Sequence, residues 1–268
     1  MMLVGGLKMK IGILGAGGRM GQMVIQEILS GQYKGAELAA AIEREGSPLL
    51  GTKIANSIRI SDEKTAAFKN CDVMIDFTAS GACTTHALLA DQHKTALVVG
   101  TTGLGEVEEA ALIVASKKAP VFYTPNMSLG VNLLLALVEE VASVLGQEFD
   151  IEISEAHHRQ KTDAPSGTAL ALGRAAAKGR GIKLDDALVP ARFGHIGPRI
   201  PGSIGMSVFR GGDVIGEHTV TFAGLGERIE LTHKATDRVI FARGAVQAAL
   251  WLKGKRPGLY AMKDMLGA

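Results

Sequence analysis

Residues 10–29 read KIGILGAGGRMGQMVIQEIL, and this stretch decides the fold. Lys10 to Leu14 is a short apolar run that predicts a strand, and Met23 to Leu29 has the apolar spacing of a helix. The glycines between them permit a tight turn and let a pyrophosphate approach the main chain closely. Their spacing is G-x-x-G-x-x-G rather than G-x-G-x-x-G, because position 20 is Met. A strand, a glycine loop and a helix in this order predict a dinucleotide-binding turn.

A second predicted strand, Glu37 to Ile42, ends in Glu43 and Arg44. This is about the distance from the glycine loop at which a ribose-binding acid is expected. Glu43 would hydrogen-bond the adenosine ribose of NAD, whereas Arg44 would pair with the 2′-phosphate of NADP. The sequence therefore leaves the preference between NADH and NADPH open.

Strands and helices continue to alternate downstream of this acid. Apolar runs at Val73 to Asp76, Ala96 to Gly100 and Val121 to Tyr123 predict strands, and Ala82 to Gln92 and Glu106 to Lys117 predict helices. The alternation indicates a parallel, doubly wound sheet of the Rossmann type. Ligands bind at the carboxyl ends of such strands. The candidates to contact the nicotinamide end are Gly100, Thr101, Thr102, Thr124, Pro125, Asn126 and Met127.

The pattern changes near Met127 to Gly130, where we place a domain boundary. Beyond it, Met206 to Arg210, Val214 to Ala223 and Arg228 to His233 are strand-like runs separated by glycines. They predict an antiparallel meander, within a second α+β domain that has a mixed or antiparallel sheet.

The last predicted helix, Phe241 to Leu252, is apolar enough to return to the first domain. We therefore predict a dinucleotide-binding domain from residues 1–128 and 240–268. Residues 129–239 form the second domain in this prediction.

The densest polar cluster in the chain is EAHHRQKTDAPSGTA, residues 155–169. It follows a predicted strand, Phe149 to Ile153, and precedes a predicted helix, Thr168 to Lys178. Asp163 or Ser166 is expected to cap that helix. A loop between a strand end and a helix start is where ligands bind in α/β proteins.

The side chains of this cluster indicate an anionic substrate that is protonated during the reaction. Gly167 and Thr168 would present free amides and a hydroxyl to a carboxylate or phosphate. Lys161 adds positive charge, and His157 and His158 exchange protons near neutral pH.

The composition argues against several other kinds of function. Apolar residues make up 47% of the 268 residues, and the net charge is +2 with acids and bases interspersed. We expect neither nucleic acid nor a membrane as a partner, since no basic run and no bilayer-spanning apolar run is present. Cys71 and Cys83 lack the spacing of a metal or redox pair, which fits a reducing cytoplasm. Met1 to Lys8 is interpreted as a short extension rather than a signal peptide.

Residues 152–169 closely resemble the signature of the dihydrodipicolinate reductase family, also called 4-hydroxy-tetrahydrodipicolinate reductases. The resemblance runs from Met9 onward. It also includes the glycine loop, Glu43-Arg44, Asp76-Phe77-Thr78, Gly100 to Gly103, Gly216-Glu217-His218 and Thr232-His233-Lys234-Ala235.

The resemblance implies an NAD(P)H-dependent oxidoreductase of lysine biosynthesis. Such an enzyme reduces 4-hydroxy-tetrahydrodipicolinate, a small dicarboxylate, to tetrahydrodipicolinate with loss of water, on the diaminopimelate route. Members commonly accept both NADH and NADPH. They are typically homotetramers built through the C-terminal sheet, which makes the second domain the substrate-binding and oligomerisation domain.

Matching the motif residue by residue implies individual roles. His157 would be the acid/base residue, Lys161 the proton donor, and His158, Gly167 and Thr168 the holders of the substrate carboxylates. The residues implied for the adenosine half of the cofactor are Gly15, Ala16, Gly17, Gly18, Arg19, Met20, Gly21, Glu43 and Arg44.

Two other kinds of protein share parts of this pattern. Another two-domain NAD(P) dehydrogenase, acting on an amino acid or sugar, would not need the His157-His158-x-x-Lys161 cluster. A non-catalytic dinucleotide sensor that binds DNA would carry a helix-turn-helix or a basic patch, and the sequence shows neither.

Overall fold

The structure is a computed structural model that describes residues 8–55 and 57–267. The predicted N-terminal extension therefore lies outside the described residues, apart from Lys8. The chain divides into two compact units. The first comprises the described residues up to Ser128 together with Val239–Gly267, and the second is Leu129–Arg238.

The first unit is an α/β sandwich whose elements are numbered in chain order. Its strands are β1 (Met9–Leu14), β2 (Ala36–Ile42), β3 (Lys53–Ala55), β4 (Ile58–Ser61), β5 (Val73–Asp76), β6 (Ala96–Val99), β7 (Pro120–Tyr123) and β13 (Gly258–Tyr260). Its helices are α1 (Arg19–Leu29), α2 (Lys64–Asn70), α3 (Cys83–His93), α4 (Glu106–Ala115), α8 (Val239–Trp251) and α9 (Met262–Leu266), with a 3₁₀ turn at Ser80–Ala82.

The strands of this unit form one sheet in the order β13-β7-β6-β5-β1-β2-β4-β3. All pairs among the described strands are parallel except β3 with β4. The predicted doubly wound parallel sheet is confirmed. The edge strand β13 has only three residues, which is too short for a periodicity argument.

Helices cover both faces of this sheet. On one face Leu14, Met74 and Leu97 pack in a cluster with Phe68 of α2 and Leu112 of α4. On the other, α8 contacts α1, β5 and β6. β5 and β6 are buried along their whole length, which explains why their sequences are apolar without alternation.

The second unit carries three helices and a five-stranded sheet among its described residues. The elements are α5 (Leu129–Val144), β8 (Asp150–His157), α6 (Gly167–Gly179), α7 (Leu184–Ala187), β9 (Leu188–Val189), β10 (Ile204–Arg210), β11 (Gly216–Ala223) and β12 (Arg228–Ala235). The strand order is β12-β11-β8-β10-β9. β8, β10 and β9 run parallel, while β11 is antiparallel to β8 and β12, so the predicted mixed sheet is confirmed.

The prediction of an antiparallel meander over the last three strands is wrong. β8 lies between β10 and β11, and only β11 and β12 form a hairpin. The connection after β10 bonds to the end of β8 instead of folding back. Gly211 N–H donates to the His157 carbonyl at 2.9 Å, and Arg159 N–H donates to the Gly212 carbonyl at 3.2 Å. The glycines that resemble a hairpin turn therefore carry the chain past β8.

The core of the second unit ends where its polar cluster begins. On β8, Ile151 and Ile153 pack with α5 and α6 in the hydrophobic core. Side chains two residues apart share a face of a strand, so Glu155 and His157 continue that buried face, with 4% and 8% exposed. None of the described helices in either unit combines the length and apolar character needed to cross a bilayer.

Candidate active site

A cleft of about 360 Å³ opens in the first unit beside the glycine loop. Its lining includes the predicted residues Gly15, Gly18, Glu43 and Arg44. It also includes Lys64 and His86, which the sequence analysis did not single out. Lys64 and His86 lie on helices, and a helical pattern alone does not reveal which side chain faces a cleft.

The glycine loop has the backbone that a close phosphate approach requires. Gly15 has a φ of +78°, which favours glycine. The N–H groups of Gly15 and Ala16 both donate to the Ile42 carbonyl at 2.9 Å. A Cβ on Gly21 would lie 2.1 Å from the Gly15 carbonyl oxygen, so α1 starts directly against the loop. Its N-cap, Gly18, supplies no side-chain cap, which leaves first-turn amides for an anion.

The carboxylate of Glu43 bonds to the backbone of the glycine loop. Its Oε2 accepts from Gly17 N–H at 2.9 Å, and its Oε1 accepts from Arg44 N–H at 3.0 Å. Arg44 and Arg19 are exposed, and Met20 is half-buried. These contacts fit an adenosine site, and Glu43 and Arg44 both line the cleft.

The predicted residues after β6 pack around a buried aspartate. Asp76 lies 2.6 Å from His86 Nδ1, and the Thr101 hydroxyl is 3.3 Å from Asp76 Oδ1. A Cβ on Gly100 would lie 2.2 Å from the Phe77 ring, so this glycine allows the ring to pack there. Thr102 is exposed.

The predicted residues after β7 form a compact turn. The Thr124 hydroxyl donates to the Asn126 carbonyl at 3.1 Å, and the Asn126 side chain accepts from Ser128 N–H at 2.9 Å. Met127 is buried, whereas Pro125 is exposed. Since β6 and β7 are parallel neighbours, both predicted segments lie at the same edge of the sheet. Their contact with nicotinamide stays a prediction.

In the second unit, α6 begins at the predicted anion site. Ser166 is the N-cap, and its Oγ accepts from Ala169 N–H at 3.1 Å. Asp163, the other expected cap, pairs with the Lys161 ammonium at 2.7 Å instead. Gly167 is exposed and Thr168 is half-buried at the first turn of α6.

His157 belongs to a buried hydrogen-bond network around Glu155. His157 Nδ1 is 2.6 Å from Glu155 Oε2. Arg210 donates to both carboxylate oxygens at 2.8 Å, and Ser166 N–H donates to Oε1 at 2.9 Å. The Ser166 hydroxyl is 3.1 Å from His218 Nε2. His157 and the start of α6 are thus bonded to one carboxylate. The His158 side chain contacts Arg238, with its Nε2 3.4 Å from Arg238 Nη2.

The electrostatics of this network favour a neutral imidazole next to fixed charges. Burial lowers the pKa of His157, against the opposing effect of its hydrogen bond to Glu155. Burial also acts to raise the pKa of Glu155, but hydrogen bonds from Arg210, His157 and Ser166 hold that pKa below its usual value. An ammonium at Lys161, the N-terminal end of helix α6 and a neutral ring can bind an anion and transfer a proton.

Arg210 and His218 join this network although sequence reasoning did not assign them. Arg210 is the sheet partner of His157, and His218 is the sheet partner of Glu155. Knowledge of the strand register would have identified Arg210 and His218. That register depends on the position of β8 between β10 and β11, which the sequence pattern does not reveal. Among residues 8–55 and 57–267, no three His, Cys, Asp or Glu side chains converge as a metal site would require.

We expect the stability of the protein to decrease on acidification because of His218. Burial, followed by the nearby His157, lowers the pKa of His218 from 6.5 to about 4. The unfolded chain then binds more protons than the folded chain between these two values. Stability should fall by about 2 kcal/mol between about pH 7 and pH 5 through this group.

Urea unfolding at these two pH values measures the effect in wild type and in His218→Gln. Glutamine cannot titrate, so the variant should lose less stability on acidification. The exposed His195→Gln is the matched control and should retain the wild-type loss. Equal losses in wild type and His218→Gln would contradict the prediction.

Comparison with known proteins covers both units. Residues 9–127 match the sequence profile described as Dihydrodipicolinate reductase, N-terminus, and residues 130–266 match Dihydrodipicolinate reductase, C-terminus. The 4-hydroxy-tetrahydrodipicolinate reductase of Chelativorans sp. is 50% identical, over 95% of this chain and 94% of that protein. The enzyme of the same name from Cereibacter sphaeroides is 51% identical, over 95% of this chain and 97% of that protein.

A solved structure supports the fold. The dipicolinate-bound dihydrodipicolinate reductase from Paenisporosarcina sp. has a TM-score of 0.78 and 22% identity, covering 97% of this chain and 100% of that chain. The two sequence profiles together span both units. The relatives, at about half identity over nearly their whole length, have the same family name. The chain therefore belongs to the dihydrodipicolinate reductase family.

Proposed function

We propose that this chain catalyses the NAD(P)H-dependent reduction of 4-hydroxy-tetrahydrodipicolinate to tetrahydrodipicolinate, with loss of water, in diaminopimelate and lysine biosynthesis. The observation that carries the proposal is the match to the reductase profiles over residues 9–127 and 130–266. The buried Glu155–His157 network beside the α6 N-terminus supports it, because the reaction needs a proton donor next to a carboxylate-binding site.

We assign the first unit to the cofactor, whose bound form supplies a hydride. A Cβ at Gly15 or Gly21 would lie within 3 Å of the protein's own backbone atoms, so glycine at both positions permits the tight turn from strand to helix that dinucleotide-binding loops have. In this proposal the glycine loop from Gly15 to Gly21 holds the phosphates and Glu43 and Arg44 bind the adenosine end. The nicotinamide contacts are Gly100, Thr101, Thr102, Thr124, Pro125, Asn126 and Met127.

We assign the second unit to the substrate, a small dicarboxylate. The amides at Gly167 and Thr168, with His158, hold its carboxylates. Lys161 donates the proton, and its charge also attracts the anion. His157 acts as the acid/base residue. We further propose a homotetramer built through the sheet of this unit and a cytoplasmic location.

A coupled assay tests the function. Aspartate semialdehyde and pyruvate are fed through dihydrodipicolinate synthase, and nicotinamide absorbance is followed with NADH and NADPH in parallel. Consumption that depends on the synthase is the expected result. No consumption, from folded protein that binds NAD(P)H, would discard this substrate.

We expect Arg44→Ala to raise the KM for NADPH by about 10–100-fold and to spare NADH. The arginine would lose charge-assisted hydrogen bonds to the 2′-phosphate, which NADH lacks. The same assay measures both KM values. Arg59→Ala is the matched control, since Arg59 is an exposed arginine of the same unit that donates to the Gly51 carbonyl. Equal losses with both cofactors would mean that Arg44 is structural.

A further inference from the structure

The carboxylate of Glu155 is fully occupied by protein partners. Only 4% of the residue is exposed. Oε2 accepts from His157 Nδ1 at 2.6 Å and from Arg210 Nη1 at 2.8 Å. Oε1 accepts from Ser166 N–H at 2.9 Å and from Arg210 Nη2 at 2.8 Å. A carboxylate offers about four lone-pair sites, so these contacts leave none for substrate.

This arrangement determines which nitrogen of His157 carries a proton. An ionised carboxylate only accepts hydrogen bonds, and the two-pronged contact from Arg210 favours the ionised form. The neutral ring therefore has its hydrogen on Nδ1 and a lone pair on Nε2. A Cβ on Gly216 would lie 3.1 Å from Nε2, so the glycine keeps the space next to that nitrogen open.

The same carboxylate also holds the beginning of α6. Its contact with Ser166 N–H fixes the backbone immediately before Gly167 and Thr168. His218 Nε2, 3.1 Å from the Ser166 hydroxyl, fixes that residue from a second side.

Arg210 extends the network to the loop that carries Lys161. Its Nη2 donates to the Asp163 carbonyl at 2.7 Å. The Asp163 side chain in turn lies 2.7 Å from the Lys161 ammonium. One guanidinium is therefore bonded both to Glu155 and to the residue that pairs with the proposed proton donor.

We propose that Glu155 and Arg210 are positioning residues for the reduction. As one ion pair, they hold the proton-transfer ring of His157 and the carboxylate-binding start of α6 in a fixed relation. The inference rests on the proposed function for the roles of His157, Gly167 and Thr168. A buried ion pair contributes little net free energy to folding, because desolvation offsets much of the attraction between the two charges. Stability alone therefore does not account for this pair.

Glu155→Gln tests the proposal with almost no change of shape. Its amide offers an NH₂ donor where the carboxylate accepted, so His157 Nδ1 should become an acceptor and its hydrogen should move to Nε2. We expect kcat to fall by about 10²–10⁴-fold, as a wrong tautomer disables proton transfer. The KM for the substrate should rise, while the Kd for NADPH should not change. Steady-state kinetics and ¹⁵N NMR of histidine-labelled protein in mildly alkaline solution measure these effects.

Glu152→Gln is the matched control. Glu152 lies on the same strand and also bonds to two arginines, Arg192 and Arg199, but it contacts neither His157 nor Ser166. This variant should keep the wild-type ring signal and kcat. Comparing Glu155→Gln with Glu152→Gln distinguishes the effect of losing a carboxylate–arginine ion pair from the effect of no longer positioning His157 and Ser166.

Retention of both the Nδ1–H signal and wild-type kcat in Glu155→Gln would overturn the proposal. If that variant does not fold, Arg210→Lys decides, since lysine keeps the charge but not the fork of donors. We expect its kcat to fall by about tenfold with the Kd for NADPH unchanged, and unchanged turnover would also overturn the proposal. The NMR comparison needs no substrate, so it still decides the positioning of His157 if the coupled assay refutes the proposed reaction.

Discussion

Replacing Lys161 with alanine should lower kcat by about 10²–10⁴-fold, the usual contribution of a positioned proton donor. The Lys161 ammonium lies 2.7 Å from the Asp163 carboxylate, whose side chain is 56% exposed. Such exposed pairs are weak, typically about 0–1 kcal/mol. A substrate carboxylate can therefore take the place of Asp163, which would bring the ammonium to the substrate. Alanine would remove both the proposed proton donor and its positive charge.

Stopped-flow and steady-state kinetics measure this loss, and fluorescence titration measures NADPH binding, which should be retained. Lys178→Ala is the matched control, because the Lys178 ammonium is similarly paired, 2.6 Å from Glu139, within the same unit. That variant should turn over at the wild-type rate. Unchanged turnover in Lys161→Ala would remove Lys161 from the mechanism.

Replacing Gly21 with alanine should weaken binding of both NADH and NADPH by at least about tenfold, which corresponds to about 1.4 kcal/mol. The added Cβ would lie 2.1 Å from the Gly15 carbonyl oxygen and 2.8 Å from its carbonyl carbon. These are backbone atoms, and the Gly15 N–H is bonded to the Ile42 carbonyl, so the loop cannot move without breaking that bond. Either α1 or the loop must shift. Overpacking of this kind costs about 1–3 kcal/mol of stability.

Fluorescence titration with each cofactor and thermal unfolding measure these two effects. Gly81→Ala is the control, since a Cβ at this glycine would meet no atom within 4 Å. It should leave the melting temperature close to that of wild type. Wild-type cofactor affinity in Gly21→Ala would show that the close approach of α1 to the loop is not required for binding.

Most of the first unit and the centre of the candidate site could be predicted from local sequence. The glycine loop, the strand before it and the helix after it are contiguous, so steric rules for glycine and apolar periodicity are sufficient. His157, Lys161 and Ser166 likewise lie within ten residues, from the end of β8 to the N-cap of α6. His157 and Ser166 both bond to Glu155, because a strand end and a helix start meet in a short connection.

The remaining site residues depend on pairings between distant parts of the chain. Arg210 reaches Glu155 across 55 positions because β10 runs parallel to β8. His218 reaches Ser166 across 52 positions because β11 pairs with the other edge of β8. Nothing in the local pattern of β10 and β11 distinguishes this insertion from a hairpin. Sequence periodicity gives the face of each strand, whereas the neighbour of each strand is a property of the whole sheet.

The first unit is made from two separated stretches of chain, and this orders its assembly during translation. Ala242, Ala245 and Val246 of α8 are buried, α8 contacts β5 and β6, and β13 pairs with β7. Nascent chains emerge from the ribosome N-terminus first. The ribosome therefore translates Leu129–Arg238 before it reaches α8 and β13. During that time the sheet of the first unit has one face incompletely covered. All residues of the second unit are translated before the first unit is complete. The segment Val239–Gly267, which emerges last, completes the first unit.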